Sequence, residues 1–135
     1  MENTFDFGEL KNNFQKNKDI QSVPLINNRL NNAPDITICV PTYQRESTLI
    51  AALKSIENQI DYFGISYEVL ILDNNPNTSV EKATSILRNV HLANCSYYIN
   101  EKNIGMIGNW NRCIELSNSE WISFLHDDDL LAENY

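Results

Sequence analysis

The chain has 135 residues, 42% of them hydrophobic and 21% charged, with a net charge of −8. That balance describes one soluble globular domain long enough to bury a core. The acidic surplus, without a basic cluster, argues against nucleic acid as a direct partner. Residues 1–20 show no apolar leader segment, and no stretch approaches the roughly 20 apolar residues that span a bilayer. A cytoplasmic protein is therefore expected, with peripheral membrane association left open. Cys39, Cys95 and Cys113 are odd in number, lack CxxC spacing and sit in or beside apolar runs, so they are expected to be buried thiols in a reducing compartment.

Residues 1–34 are rich in Asn, Lys and Gln. Phe5, Phe7, Leu10 and Phe14 have rough helical spacing, while Pro24, Pro34 and the pairs Asn27-Asn28 and Asn31-Asn32 mark loop. This part is read as an N-terminal extension without an assigned function, and the domain proper as residues 35–135. Ile36 to Val40 is a β-branched run expected to form a buried strand that Pro41 stops. A helix follows from Glu46 to Gln59, with Leu49, Ala52, Leu53 and Ile56 on its apolar face.

Tyr67 to Leu72 reads as a second strand ending in Asp73-Asn74-Asn75-Pro76-Asn77. Thr78 or Ser79 caps a helix to about Asn89, with Val80, Ala83, Ile86 and Leu87 inward. Cys95 to Ile99 is a third strand. Beyond the polar loop 100–105, a helix from Met106 to Leu116 is expected to face inward with Ile107, Trp110 and Cys113 or Ile114. Glu120 to Leu125 is a fourth strand, and Trp110 and Trp121 are expected in the core. The order βαβαβαβ implies an α/β, Rossmann-like, mostly parallel sheet with right-handed crossovers. If the four strands lie in the order 3-2-1-4, the switch point falls between the first and the fourth, where such sheets bind ligands.

The apolar run from Trp121 ends in His126, Asp127, Asp128 and Asp129. Three adjacent carboxylates repel one another, and a divalent cation, Mn²⁺ or Mg²⁺, is the simplest partner for hard oxygen donors at a strand end. An acidic loop or a helix N-terminus is the plainer alternative. Asp73, also at a strand end, suits recognition of a base or ribose, or equally an Asx-turn. Pro41-Thr42-Tyr43 can present a hydroxyl and a ring to a flat base, or merely end a strand. Asn103 and Gly105 suit close backbone approach to a ligand, or only a helix entry. His126 reads as a hydrogen-bonded structural residue sooner than a ligand. Arg45, Lys102 and Arg112 can pair with phosphate, although exposed basic residues rarely need a special role.

Taken together, four stretches in order resemble the family 2 glycosyltransferases. Ile36–Tyr43 is similar to that family's opening strand and Pro-x-Tyr. Glu68–Asn75 is similar to its second strand with an acidic end, and Asn103-Ile-Gly105 with Asn109 to its Asn-x-Gly loop and helix. Trp121–Leu130 is similar to its strand leading to the DxD region. The resemblance covers about residues 35–131. It implies the GT-A fold, and transfer of a sugar from a nucleoside diphosphate donor, UDP by family habit, to a saccharide or lipid-linked acceptor hydroxyl in polysaccharide or glycolipid synthesis.

By the same resemblance Thr42, Tyr43, Asp73, Asn103 and Asp128 would hold the nucleotide. Asp127, Asp128 and Asp129 would hold the metal that stabilises the leaving diphosphate. The family commonly shows Asp-x-Asp-Asp. Alignment on the last pair puts His126 at the first Asp, whereas Asp127-x-Asp129 keeps a DxD spacing in another register. The family's later half, expected to carry the acceptor site and catalytic base, would lie beyond Tyr135, so a domain shortened on its C-terminal side is expected and no base is assigned. The alternative reading is a nucleotide-binding module or fragment without transfer activity. A phosphorelay receiver would want an acidic pair where Pro41-Thr42 stands, and a metal phosphohydrolase a second His-rich cluster that His91 alone does not make.

Overall fold

The computed structural model describes residues 12–30, 32–60 and 64–135. Five strands, β1 (Ser22–Asn27), β2 (Ile36–Thr42), β3 (Tyr67–Asp73), β4 (Cys95–Asn100) and β5 (Trp121–Phe124), form one sheet in the order β1-β4-β3-β2-β5. Helices α1 (Asn13–Lys16), α2 (Glu46–Glu57), α3 (Val80–Leu87) and α4 (Gly105–Leu116) join them. β2 to β5 run parallel, and β1 lies antiparallel on β4. Within the repeat this is the expected 3-2-1-4 order. The chain steps outward from β2 to β4, then crosses back to place β5 on the other side of β2, which makes the β2–β5 seam the switch point.

The sheet buries both faces. On one, Leu49, Ala52, Leu53 and Ile56 of α2 and Ala83 and Ile86 of α3 pack on Val40, Val69, Ile71 and Tyr97. On the other, Cys113 of α4 packs with Cys39, Leu70, Leu72 and Tyr98. The near-continuous apolar runs of β2 and β3 follow from this two-sided cover, and each fully buried Leu or Ile contributes about 1.5–3 kcal/mol. All three cysteines are free and buried. At the start of α3 the Ser79 side chain accepts from the Lys82 amide, the expected cap.

Several local expectations are corrected. Ser22–Asn27, read as loop, is an edge strand whose register slips between Pro24 and Ile26, and an edge tolerates the missing proline N–H. Of the rough N-terminal helical pattern, Phe5, Phe7 and Leu10 lie outside the described residues; Phe14 sits in the one-turn α1 and is exposed. Pro41 does not stop β2. The Cys39 carbonyl accepts from Leu125 on the β5 side, so Pro41 points its nitrogen to that same side, past the last β5 pair, where no ladder bond is lost.

α4 turns Asn109 and Cys113 inward and leaves Ile107 and Ile114 exposed, because buried asparagine partners draw Asn109 to the sheet. Val80 is likewise exposed rather than inward. Trp121 is 68% exposed rather than core, since β5 pairs on one side only among the described residues.

Candidate active site

Three strands end in one row. Thr42 and Asp73 are register partners, and Asp73 in turn pairs with Ile99, beside Asn100 at the end of β4. β5 stops at the level of Cys39, but the chain keeps following β2. Leu125 N–H donates to the Cys39 carbonyl at 2.9 Å, and two residues later Asp127 meets Thr42, whose hydroxyl donates to Asp127 Oδ2 at 2.8 Å. The turn then closes with Asp129 N–H on the His126 carbonyl at 3.1 Å. Beyond it, Leu131 N–H donates to Ser55 Oγ and Gln59 Nε2 to the Ala132 carbonyl, tying the chain to α2. The acidic turn is thus held on both sides.

Asp127 is buried, whereas Asp128 and Asp129 are exposed. The charge of the first two converges on Arg45. Its Nη1 lies 2.7 Å from Asp128 Oδ2 and 3.4 Å from Asp127 Oδ1. Arg45 is the residue before α2 and offers no side-chain cap. It follows Gln44, the described non-glycine residue with positive φ, at 54°. A left-handed turn costs an L-residue roughly 1–3 kcal/mol and persists where its surroundings require it. Here it swings the chain from β2 into α2 so that the guanidinium lies over the acidic turn.

The floor is an asparagine network. Asn74 Nδ2 donates to Asn103 Oδ1 at 2.9 Å and to the Gly105 carbonyl at 3.3 Å. Its Oδ1 accepts from Asn100 Nδ2 and from the Ile104 amide, both at 3.0 Å. Asn100 also donates to Asn109 Oδ1 at 2.8 Å, and Asn109 Nδ2 donates to the Leu72 carbonyl at 3.1 Å. Asn74, Asn100 and Asn109 are all buried, so unpaired amides here would be costly. The loop at 103–105 then enters α4 through Gly105, whose φ of 76° favours glycine. The Ser22 hydroxyl donates to Asn100 Oδ1 and accepts from Arg112, which links the edge strand to this floor.

A cleft of about 560 Å³ opens over the β2–β5 seam. It is lined by Thr42, Tyr43, Asn103, Asp127 and Asp128, the nucleotide and metal candidates, by Arg45, Asn109 and His126, also noted in the sequence, and by Asn74, Met106 and Trp110. His126 stands edge-on to Trp110, ring centroids 4.9 Å apart, so Trp110 walls the cleft instead of filling the core. Asp129 lines neither this cleft nor the next. Asp73 faces a second cleft of about 240 Å³, which shares Thr42 and Arg45 with the first.

Asp73 Oδ2 accepts from Thr78 Oγ1 at 2.6 Å and from the Tyr97 hydroxyl at 2.9 Å, and Oδ1 accepts from the Asn75 amide at 2.9 Å. Burial, then the Asp73 charge, pushes the Tyr97 phenol well above its ordinary value and keeps it a donor. Sequence reasoning missed Arg45 as a partner of the acids and Asn74 and Asn100 as the floor. The positive-φ turn and the depth of these asparagines are not visible in residue type.

The acidic pair suits a hard divalent ion in one particular way. Among the described residues no group of three His, Cys, Asp or Glu side chains is placed to hold a metal. Two carboxylates do converge on a single cationic nitrogen, and a Mg²⁺-like ion needs no more than one or two carboxylates when water and phosphate oxygens complete its shell. The Arg45 nitrogen stands where positive charge is wanted. Asp127 and Asp128 would hold the ion.

The profile of glycosyl transferase family 2 matches residues 37–135. The chain is 31% identical over 99 residues to abequosyltransferase RfbV of Salmonella typhimurium, covering 73% of this chain and 29% of that protein. Among solved structures it is similar to S. aureus TarS 1–349 in complex with UDP-GlcNAc, at a TM-score of 0.59 and 21% identity over 73% of this chain and 28% of that one. It is also similar to the mannosyltransferase PcManGT of Pyrobaculum calidifontis in complex with GDP-Man and Mn²⁺, at a TM-score of 0.58 and 17% identity over 89% of this chain and 35% of that one. Both structures share the α/β fold, and the chain spans less than a third of the length of RfbV. With the family matching 99 of its 135 residues, the chain belongs to glycosyltransferase family 2.

Proposed function

We propose that the chain carries the donor-binding half of a metal-dependent glycosyltransferase, moving a sugar from a nucleoside diphosphate, UDP before others, to an acceptor hydroxyl of a saccharide or lipid-linked glycan. The observation that carries this reading is the convergence of Thr42, Asp127, Asp128 and the Asn103 loop on one cleft at the switch point of the sheet. Thr42, Tyr43 and Asp73 hold the nucleoside, Asp73 from the second cleft, where its three donors fix the carboxylate. Asn103 presents the loop at the other wall. Asp127 and Asp128 hold Mn²⁺ or Mg²⁺, which when bound offsets charge developing on the departing diphosphate. TarS crystallised with UDP-GlcNAc supports the uridine assignment, and PcManGT with GDP-Man and Mn²⁺ supports a divalent ion. A cytoplasmic place with peripheral membrane contact completes the proposal; no helix among the described residues is long and apolar enough to cross a membrane.

One observation favours a second reading, binding without transfer. Among the described residues the only carboxylates lining the larger cleft are Asp127 and Asp128, both engaged by Arg45, so none there is free to deprotonate an acceptor. Calorimetric titration with UDP, GDP, CDP and ADP, with and without Mn²⁺, tests what both readings share. UDP should saturate with Mn²⁺ and bind at least tenfold more weakly without it, and D128N should abolish the Mn²⁺ dependence. Binding of all four diphosphates indifferent to Mn²⁺ and to D128N would sink the proposal. Release of UDP from a UDP-sugar in the presence of acceptor separates the transferase from the binding module.

A further inference from the structure

Arg45 is one of three basic residues able to pair with phosphate, but its contact with the acidic pair is not visible in the sequence. Asp127 is buried and its Oδ2 is held by Thr42, so its other oxygen needs a cationic partner. Arg45 Nη1 supplies one and reaches Asp128 more closely still. The guanidinium itself is half-exposed and borders both clefts, so it can leave the acids without crossing the core. An ordinary surface ion pair would contribute little. This one bridges a buried and an exposed carboxylate, and it is delivered by the left-handed turn at Gln44.

We propose that Arg45 is a resident counter-cation for the Asp127–Asp128 pair, which gives up that seat to the divalent ion and then pairs with a phosphate oxygen of the donor. This rests on the metal reading of the acidic pair given above. The exchange conserves charge pairing. Before it, two carboxylates share one guanidinium. After it, they share a divalent ion, and the released guanidinium meets the diphosphate. The acids are thereby kept in ligand geometry while empty of metal, and metal uptake is coupled to donor binding in the same protein.

The test is Mn²⁺ binding without nucleotide, read from the electron paramagnetic resonance signal of free Mn²⁺, for the wild type, R45M, R45Q, K54M and D128N, with folding checked by circular dichroism. R45M and R45Q should bind Mn²⁺ roughly five- to tenfold more tightly than the wild type, the scale of one nearby unit charge. UDP at saturating Mn²⁺ should then bind several-fold more weakly. K54M, which removes a charge at the far end of α2, should match the wild type in Mn²⁺ affinity. Arginine variants with wild-type or weaker Mn²⁺ affinity, while D128N loses binding, would overturn the Arg45 exchange alone. K54M as tight as R45M would overturn it as well, by reducing it to overall charge. Absence of saturable Mn²⁺ uptake in both the wild type and R45M would overturn the metal reading and the exchange with it.

Discussion

Asn74 tests whether the asparagine floor organises the cleft. Truncation in N74A removes four hydrogen bonds, which differ in cost. The Asn100 amide and the Ile104 N–H are buried, and each loses its Asn74 acceptor. Asn103 and Gly105 are exposed, so water can replace what Asn74 donated to them. Two buried donors left short at about 1–3 kcal/mol each, softened by Asn100's second bond to Asn109, amount to roughly 2–4 kcal/mol. N75A is the control, because the Asn75 side chain accepts only a local bond from the Asn77 amide at an exposed turn, and surface changes of that kind stay within about 0.5 kcal/mol. Urea unfolding would show the midpoint of N74A falling with slope unchanged. Hydrogen exchange in native buffer would show the Ile104 and Gly105 amides losing protection. A stability loss in N74A no larger than that of N75A, with protection at 104–105 intact, would refute the view that Asn74 carries the loop.

Two further outcomes follow from the strand ends. T42V keeps shape but withdraws the hydroxyl from buried Asp127. It should cost roughly 1.5–3 kcal/mol, the range for a hydrogen bond to a charged group, with T42S restoring most of it; a T42V urea midpoint equal to the wild type would contradict the contact. Tyr97 gives a pH signature. Burial first, and the Asp73 carboxylate second, raise its folded-state pKa above the ordinary 10. Stability from this group is therefore complete below pH 10 and lost as pH rises above it, because the folded chain keeps a proton that the unfolded chain releases. The loss approaches about 1.4 kcal/mol per pH unit. Y97F lacks this contribution, so urea midpoints measured from pH 8 to 11 should fall less steeply for Y97F, and parallel profiles would count against the buried Tyr97–Asp73 bond.

The sheet was legible where burial on both faces writes itself into composition. Val69–Leu72 admits few readings besides an interior strand, and the apolar spacing of Leu49, Ala52, Leu53 and Ile56 marks the buried stripe of α2. Edges were less legible. Ser22–Asn27 carries a proline and asparagines that mark loop, and it is a strand only because β4 offers an unpaired edge. Trp121 has a core residue's chemistry but sits where the sheet has one neighbour. Helix α4 misled for a related reason: its apolar pattern points at Ile107 and Ile114, while the buried face is chosen by the partners waiting for Asn109.

The βα alternation, the four strand-end motifs and the family were readable from residue order, because these depend on short-range periodicity. Residue order also placed Thr42 and the acidic turn together once a 3-2-1-4 order was assumed. That Asp127 and Asp128 face the cleft while Asp129 does not, that Asp73 turns to a second cleft, and that Arg45 sits between the acids came from the fold. Those facts depend on where the turn after β5 lies against β2 and on the backbone hand at Gln44. The first rests on contacts between residues more than 80 positions apart, and the second on a backbone angle that residue type does not announce. Periodicity and propensity describe neighbours along the chain, so they carry no information about such pairs.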